Sequence, residues 1–205
     1  MAGNVELHLA SASPRRRELL GTLRLEFTWA GVDIDESPLA DEAPADMVLR
    51  LATLKASAGA AASPDARVVI GSDTAVVLEE HCFGKPRDQA DAAAMLAALS
   101  GRTHDVLTGV AVLGDGRLQK ALSRSAVTFR DIDPEEARHY WHSGEPVDKA
   151  GGYAIQGLGG VFVAAIAGSY SGVVGLPVYE TAALLAHAGI PVLSPGCTHI
   201  EEQEA

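Results

Sequence analysis

The sequence predicts an α/β fold built on a mixed sheet. Strand-like runs alternate with helical runs along most of the chain, the pattern of an α/β domain. One neighbouring pair of strand-like runs, 106–113 and 118–129, is joined only by Gly114-Asp115-Gly116, a hairpin turn. A hairpin places antiparallel pairs in a sheet whose other connections pass through helices, so the sheet is mixed rather than purely parallel.

Each element has its own local signal. Residues 5–10 read as a first strand, broken at 11–14, where Ser13 is a plausible N-cap and Pro14 suits the first helical position. A short helix runs through Leu19 and Leu20 to Gly21. Residues 25–29 read as the second strand, and 32–44 as an acidic loop. Pro44 to Ala62 has helical spacing at Val48, Leu51, Leu54 and Ala58. Residues 67–70 read as a buried strand that 75–78 continues, with Gly71-Ser72-Asp73-Thr74 at the end of the apolar run. Gln89 to Leu99 is a helix capped by Asp88, ended by Gly101, with Ala93, Leu96 and Leu99 on its apolar face. Asp133 caps a helix from Pro134 to His142, and Glu136 completes a capping box. Residues 149–160 are Gly-rich, 161–166 read as a strand, 168–175 as a loop and 176–188 as the last helix. A single domain over 1–190 with a partly disordered tail over 191–205 is expected.

Composition narrows the function classes. The chain has 205 residues, 47% of them hydrophobic and 21% charged, and a formal net charge of −11. That acidic balance disfavours nucleic acid and anionic membrane as partners. An anionic small molecule remains open where basic residues gather, with a divalent cation to offset nearby carboxylates. No stretch is long and apolar enough to span a bilayer, and the first residues show no secretory pattern. Cys82 and Cys197 give neither a disulfide framework nor a metal motif, and a reducing cytoplasm fits.

Five clusters could carry chemistry. Ser11, Ser13, Arg15, Arg16 and Arg17 crowd a strand-to-helix turn, where an anion would relieve the charge and meet free N–H groups. A solvated basic turn is the alternative. Asp73 in Gly71-Ser72-Asp73-Thr74 suits Mg²⁺ binding or activation of water, although an isolated Asp in a turn is commonplace. Lys85 in Gly84-Lys85-Pro86 offers a point charge for phosphate, unless it is a plain surface lysine. Lys55 shares a helix side with Val48 and Leu51, so its ammonium either reaches a cleft or snorkels to water. In the Gly-rich run, Gln156 carries both a donor and an acceptor able to read a nucleobase edge. Asp33, Asp35 and Glu36 add an acidic loop that could assist a metal, while His139 and His142 lack a third ligand and read as helix-surface residues.

Taken in order, these clusters resemble the Maf family of nucleotide pyrophosphatases. The matching blocks are Leu9-Ala10-Ser11-Ala12-Ser13-Pro14-Arg15-Arg16, Gly71-Ser72-Asp73-Thr74, Gly84-Lys85-Pro86-Arg87-Asp88, Ser100-Gly101-Arg102-Thr103-His104, the run from Asp148 to Gly157, and Val174-Gly175-Leu176-Pro177. The resemblance implies an elongated fold similar to that of the inosine triphosphate pyrophosphatases, with a central mixed β-sheet, flanking helices and a cleft between two lobes. It also implies a homodimer, a divalent cofactor (Mg²⁺, or another such as Mn²⁺) and a link to septum formation. Asp73 matches the catalytic acidic residue. Arg15, Thr74 and Gln156 match positions that tune substrate choice; Ser11, Arg16, Lys55 and Lys85 match polar positions of the cleft. Asp73 and Glu36 are the metal candidates. The Asp148–Gly157 block looks like the subgroup that cleaves dTTP and UTP. A 7-methyl-GTP or non-standard purine triphosphate, or a non-enzymatic role in cell division, are the alternatives. Gly172 departs from relatives, which often carry a larger residue there, and this puts the packing of its loop in question.

Overall fold

The computed structural model describes residues 6–193. Seven strands form one mixed sheet in the order β2-β1-β3-β5-β6-β7, with β4 paired to β3 off this path. These are β1 (Leu7–Ala10), β2 (Thr28–Ala30), β3 (Val68–Leu78), β4 (His81–Phe83), β5 (Thr103–Gly114), β6 (Arg117–Phe129) and β7 (Val163–Ala167). β1 runs parallel to β2 and β3, and the remaining pairs are antiparallel. The helices are α1 (Pro14–Gly21), α2 (Pro44–Ala62), α3 (Gln89–Leu99), α4 (Pro134–His142), α5 (Tyr170–Val174) and α6 (Val178–His187). Among the described residues no helix is long and apolar enough to cross a membrane.

The predicted hairpin forms with a two-residue turn. Gly114 pairs with Arg117, and Asp115 and Gly116 both take positive φ, +48° and +72°, as the tight turn between twisted strands requires. The capping box at α4 also forms, with the Glu135 N–H donating to Asp133 at 2.7 Å and the Asp133 N–H to Glu136 at 3.1 Å. At α3, Asp88 accepts from the Asp91 N–H at 2.9 Å, and the buried face is Ala92, Leu96 and Leu99 rather than Ala93.

Several expectations are corrected. β3 runs without a break from Val68 to Leu78, so Asp73 lies inside a strand and not at a strand end. Leu54 faces outward from α2; the buried face is Val48, Leu51, Ala52, Lys55, Ala56 and Gly59. Small residues line it because α2 lies directly on the backbone of the sheet. A Cβ on Gly71 would stand 2.2 Å from the Ala52 carbonyl oxygen, and one on Gly109 would stand 2.4 Å from that of Val48. The second strand is shorter than 25–29 suggested and shifted towards Ala30, because Leu25 and Phe27 pack on the core and leave only Thr28–Ala30 to pair with β1. Residues 168–175 contain α5, whose first turn is capped by Ser169 accepting from the Gly172 N–H at 3.0 Å. Gly-rich residues 149–160 fold into 3₁₀ turns, and a further one, Leu158–Phe162, delays β7 to Val163. Of the expected tail, residues 194–205 lie outside the described residues, as does Val5 of the first predicted strand.

Two large cores share the face of the sheet opposite α2. One gathers Leu7, Leu9, Leu20, Ile70, Val110, Leu176 and Leu185 beneath α1 and α6. The other is aromatic, with Phe129, Tyr140, Tyr153 and Phe162 around Leu96 and Leu99. Full burial of a side chain such as Leu20 or Leu185 contributes about 1.5–3 kcal/mol. Together with the smaller cluster of Met47, Val48, Leu51, Ala75, Val77 and Leu107 under α2 on the other face, these cores clamp β3 and β5, the two strands that carry the polar residues described next.

Candidate active site

The pleat of β3 distributes its polar residues to two faces. Gly71 and Asp73 face α2, while Ser72 and Thr74 face α1 and α5. Opposite Asp73 on β5 stands Gly109, and opposite Thr74 stands Thr108. Because Gly71 and Gly109 present no side chain, α2 settles close enough for Lys55 to reach Asp73. Lys55 Nζ lies 2.7 Å from Asp73 Oδ1 and 2.7 Å from Glu36 Oε1. Asp73 and Lys55 are buried, whereas the Glu36 side chain is about half exposed, at 54%. The acidic loop thus brings one carboxylate to the mouth of a buried ion pair. Asp33 and Asp35 are not in that contact, and Asp35 instead accepts the Ser37 N–H at 2.9 Å.

On the other face, the Arg16 guanidinium donates to the Gly175 carbonyl at 2.8 Å and to Thr74 Oγ1 at 3.3 Å. Thr108 donates to the Gly172 carbonyl at 2.8 Å, and its hydroxyl lies 3.0 Å from that of Thr74. Ser72 also donates to the Gly175 carbonyl, at 3.0 Å. Arg16, Thr74 and the α5 segment therefore form one fixed unit. Gly172 fits this unit closely. A Cβ there would stand 2.9 Å from Ser123 Oγ, so the space a larger residue would need is already filled.

Charge binds the two faces together. Burial lowers the Arg16 pKa, Asp73 and Glu36 oppose that effect, and neighbouring Arg15 reinforces it. Burial pushes the Glu36 carboxyl up, but Lys55, through its hydrogen bond and its charge, outweighs burial and is helped by Lys85 and Arg16; the net effect is a lowered pKa. Lys85 is exposed within reach of this field, and Gly84 ties its loop to the Gly-rich segment by accepting the Gly151 N–H at 3.0 Å. Arg15 lies near Asp148, whose carboxyl is lowered against burial by Lys149 and by Arg15. Arg17 departs from the predicted trio and stacks over Trp29, 3.8 Å from the ring centroid.

Ser11 is buried, and its Oγ accepts the Ser13 N–H at 3.2 Å. Ser13 itself occupies the N-cap position of α1 without a side-chain cap bond. Gln156 is exposed on a turn, and among the described residues its side chain takes part in no hydrogen bond. The structure therefore brings together Asp73, Lys55, Glu36, Arg16 and Thr74 by contact or field, with Lys85 near Glu36. It leaves Ser11 and Gln156 outside that contact network.

Among the described residues no group of three or more His, Cys, Asp or Glu is poised to hold a metal ion. A hard cation carried by a triphosphate needs only one or two protein carboxylates, since phosphate oxygens and water complete its shell. Asp73 and Glu36, which meet at one ammonium, fit that requirement. Sequence reasoning missed Thr108 and Ser72 as supports of the site. Ser72 lies in the Gly71-Ser72-Asp73-Thr74 block but carried no role there, and Thr108 belongs to no motif, so only strand register, with Thr108 opposite Thr74, could have flagged it.

The chain is similar over most of its length to several named proteins. A protein of Myxococcus xanthus (strain DK1622) named dTTP/UTP pyrophosphatase is 54% identical over 186 residues, covering 91% of this chain and 94% of its own. One from Pseudoalteromonas translucida (strain TAC 125) with the same name is 53% identical over 179 residues, covering 87% and 95%. Another so named, from Saccharophagus degradans (strain 2-40 / ATCC 43961 / DSM 17024), is 50% identical over 192 residues, covering 92% and 91%. Among solved structures, the Staphylococcus aureus Ham1 protein is 15% identical with a TM-score of 0.44, covering 63% of this chain and 72% of that one. The family model described as Maf-like protein matches residues 6–188, nearly all of the described chain, and the chain belongs to the Maf family.

Proposed function

We propose that the chain hydrolyses nucleoside triphosphates, dTTP and UTP foremost, to the monophosphate and pyrophosphate. The observation that carries this reading is the buried Lys55–Asp73 contact, with Glu36 at its mouth and Arg16 close behind. Relatives at 50–54% identity named dTTP/UTP pyrophosphatase support the substrate class.

In this reading Asp73 orients a water and accepts its proton as the water oxygen bonds to the α-phosphorus. The bond from that phosphorus to the bridging oxygen breaks, and pyrophosphate leaves. Arg16, Lys55 and Lys85 offset charge on the phosphate oxygens, while Ser11 lines the anion-facing turn. Arg15, Thr74 and Gln156 select the base. Asp73 and Glu36 hold Mg²⁺, or Mn²⁺ in its place, which when bound with substrate neutralises charge on the phosphates. A cytoplasmic homodimer without nucleic-acid or membrane partners completes the reading, and the net charge of −11 supports the last point.

The test is pyrophosphate release from dTTP, UTP, CTP, 7-methyl-GTP and ITP, with Mg²⁺ and with chelator. Metal-dependent cleavage led by dTTP and UTP is expected. Turnover led by 7-methyl-GTP or ITP would overturn the substrate, and no turnover at all would overturn the enzyme.

A further inference from the structure

One carboxylate outside the catalytic cluster organises the turn that carries Gln156. Glu145 accepts the Tyr140 hydroxyl at 2.6 Å, the Leu158 N–H at 2.9 Å and the Gly159 N–H at 2.9 Å. The same Tyr140 oxygen accepts the Ala154 N–H at 3.0 Å. Residues 154–159 are thus held at both ends by a single Tyr–Glu pair, with Gln156 exposed at the crown.

The backbone is shaped to this pair. A Cβ on Gly157 would stand 2.0 Å from Glu145 Oε2, and one on Gly159 would stand 2.5 Å from the Tyr140 hydroxyl. At Gly159 the added carbon would also meet the Ala154 backbone at 2.8 Å, so glycine is required there, whereas at Gly157 it would push the Glu145 carboxylate out of place. The anchor is itself rigid. Tyr140 is buried on α4, which packs on α3, and its ring meets Phe162 edge-on at 5.2 Å between centroids. Burial pushes the Tyr140 hydroxyl up, so it remains a donor. Burial also opposes ionisation of Glu145, but Tyr140 and the Gly159 and Leu158 N–H groups outweigh it.

We propose that Tyr140 and Glu145 are positioning residues for Gln156, fixing the turn that presents its amide and thereby setting base discrimination without touching substrate. This rests on the reading of Gln156 as a residue that selects the base. A carboxylate suits the task because both of its oxygens accept. A glutamine at the same place has one accepting oxygen and would turn an NH₂ towards N–H donors.

The experiment compares wild type, E145A, E145Q, Y140F and Q156A on dTTP and dCTP, with amide hydrogen exchange over residues 154–159. In E145A the Leu158 and Gly159 amides are expected to lose protection. KM for dTTP rises and the dTTP-to-dCTP ratio of kcat/KM falls about tenfold, while kcat stays within about threefold. E145Q restores part of the ratio. Y140F moves it in the same direction by less, because Leu158 and Gly159 keep their acceptor; it carries the comparison if E145A does not fold. A ratio unchanged in E145A or Y140F but altered in Q156A overturns the positioning role and leaves the reading of Gln156 standing. A ratio unchanged in Q156A overturns that reading and the proposal with it.

Discussion

Lys55 meets Asp73 at 2.7 Å across the seam between α2 and β3, with their side chains only 10% and 12% exposed. Removing one partner of a buried pair leaves the other charge uncompensated, at a cost of about 3–5 kcal/mol. On loss of Lys55, Arg16 lies close enough to offset part of the charge left on Asp73 and Glu36. Lys55→Met is therefore expected to destabilise the fold towards the lower end of this range, with a matching fall in the urea midpoint. An unchanged midpoint would mean that the pair is not electrostatically coupled to the fold.

Asp73→Asn keeps the shape and removes the charge. The expected result is a fall in kcat of about 10²-fold or more for pyrophosphate release, with the KM for dTTP within about threefold. Full activity in a folded Asp73→Asn protein would remove Asp73 from the chemistry.

Gly71→Ala tests the seam without touching a charge. Its Cβ would stand 2.2 Å from the Ala52 carbonyl oxygen and 2.5 Å from the Ala56 nitrogen, both backbone atoms with little freedom to yield. Overpacking of this kind costs about 1–3 kcal/mol or more. Loss of activity should accompany it, since α2 carries Lys55. Gly21→Ala is the control: nothing lies within 4 Å of its added carbon, so thermal unfolding and turnover should be unaffected or slightly improved.

His104 gives a pH signature. It is buried against Tyr153, with Nε2 2.8 Å from the Tyr153 hydroxyl, and against Phe129. Burial lowers its pKa from 6.5 to about 4, with Asp105 opposing. The unfolded chain therefore binds the extra proton first as pH falls below 6.5, and stability drops until the folded protein protonates too, near pH 4. A gap of that size corresponds to about 3 kcal/mol. Denaturant titrations between pH 4 and 6.5 should show this slope in wild type and a flatter one in His104→Gln.

Gln156→Glu should shift base preference rather than abolish cleavage. A carboxylate only accepts, so it repels the O4 acceptor of thymine and favours the N4 donor of cytosine. The dTTP-to-dCTP ratio of kcat/KM is expected to fall about tenfold or more. An unchanged ranking of the two substrates would place the base elsewhere.

Helix bounds were the most legible part of the sequence. Pro44–Ala62, Gln89–Leu99 and Pro134–His142 are marked by Pro at the first position, capping Asp residues and a following Gly. The unbroken β3 was not legible, because a Gly-Ser-Asp-Thr run is also good turn chemistry. Its glycine serves close approach of a helix, a tertiary demand invisible to local propensity. The same contact explains Leu54: spacing alone assigned it to the buried face, but a helix lying on bare backbone turns its small residues inward and its leucine out. Asp73, Lys55 and Glu36 were legible as residue types, whereas their meeting at one ammonium depends on a loop and a helix set by packing. Tyr140 and Glu145 carried no signal, since apart from each other their partners are backbone groups thirteen or fourteen residues further along the chain.

The continuity of β3 divides the kinds of change this protein can tolerate. Asp73 is pinned by ladder partners on β5 and by a helix with no spare clearance, so the centre cannot be rebuilt by exchanging a loop. The Gln156 turn hangs on one side-chain pair, with Gln156 facing solvent, so that position can change without disturbing the ladder. An engineer seeking a new nucleotide would therefore begin at position 156, keep the glycines around it, and leave the strand that holds both Asp73 and Thr74 alone.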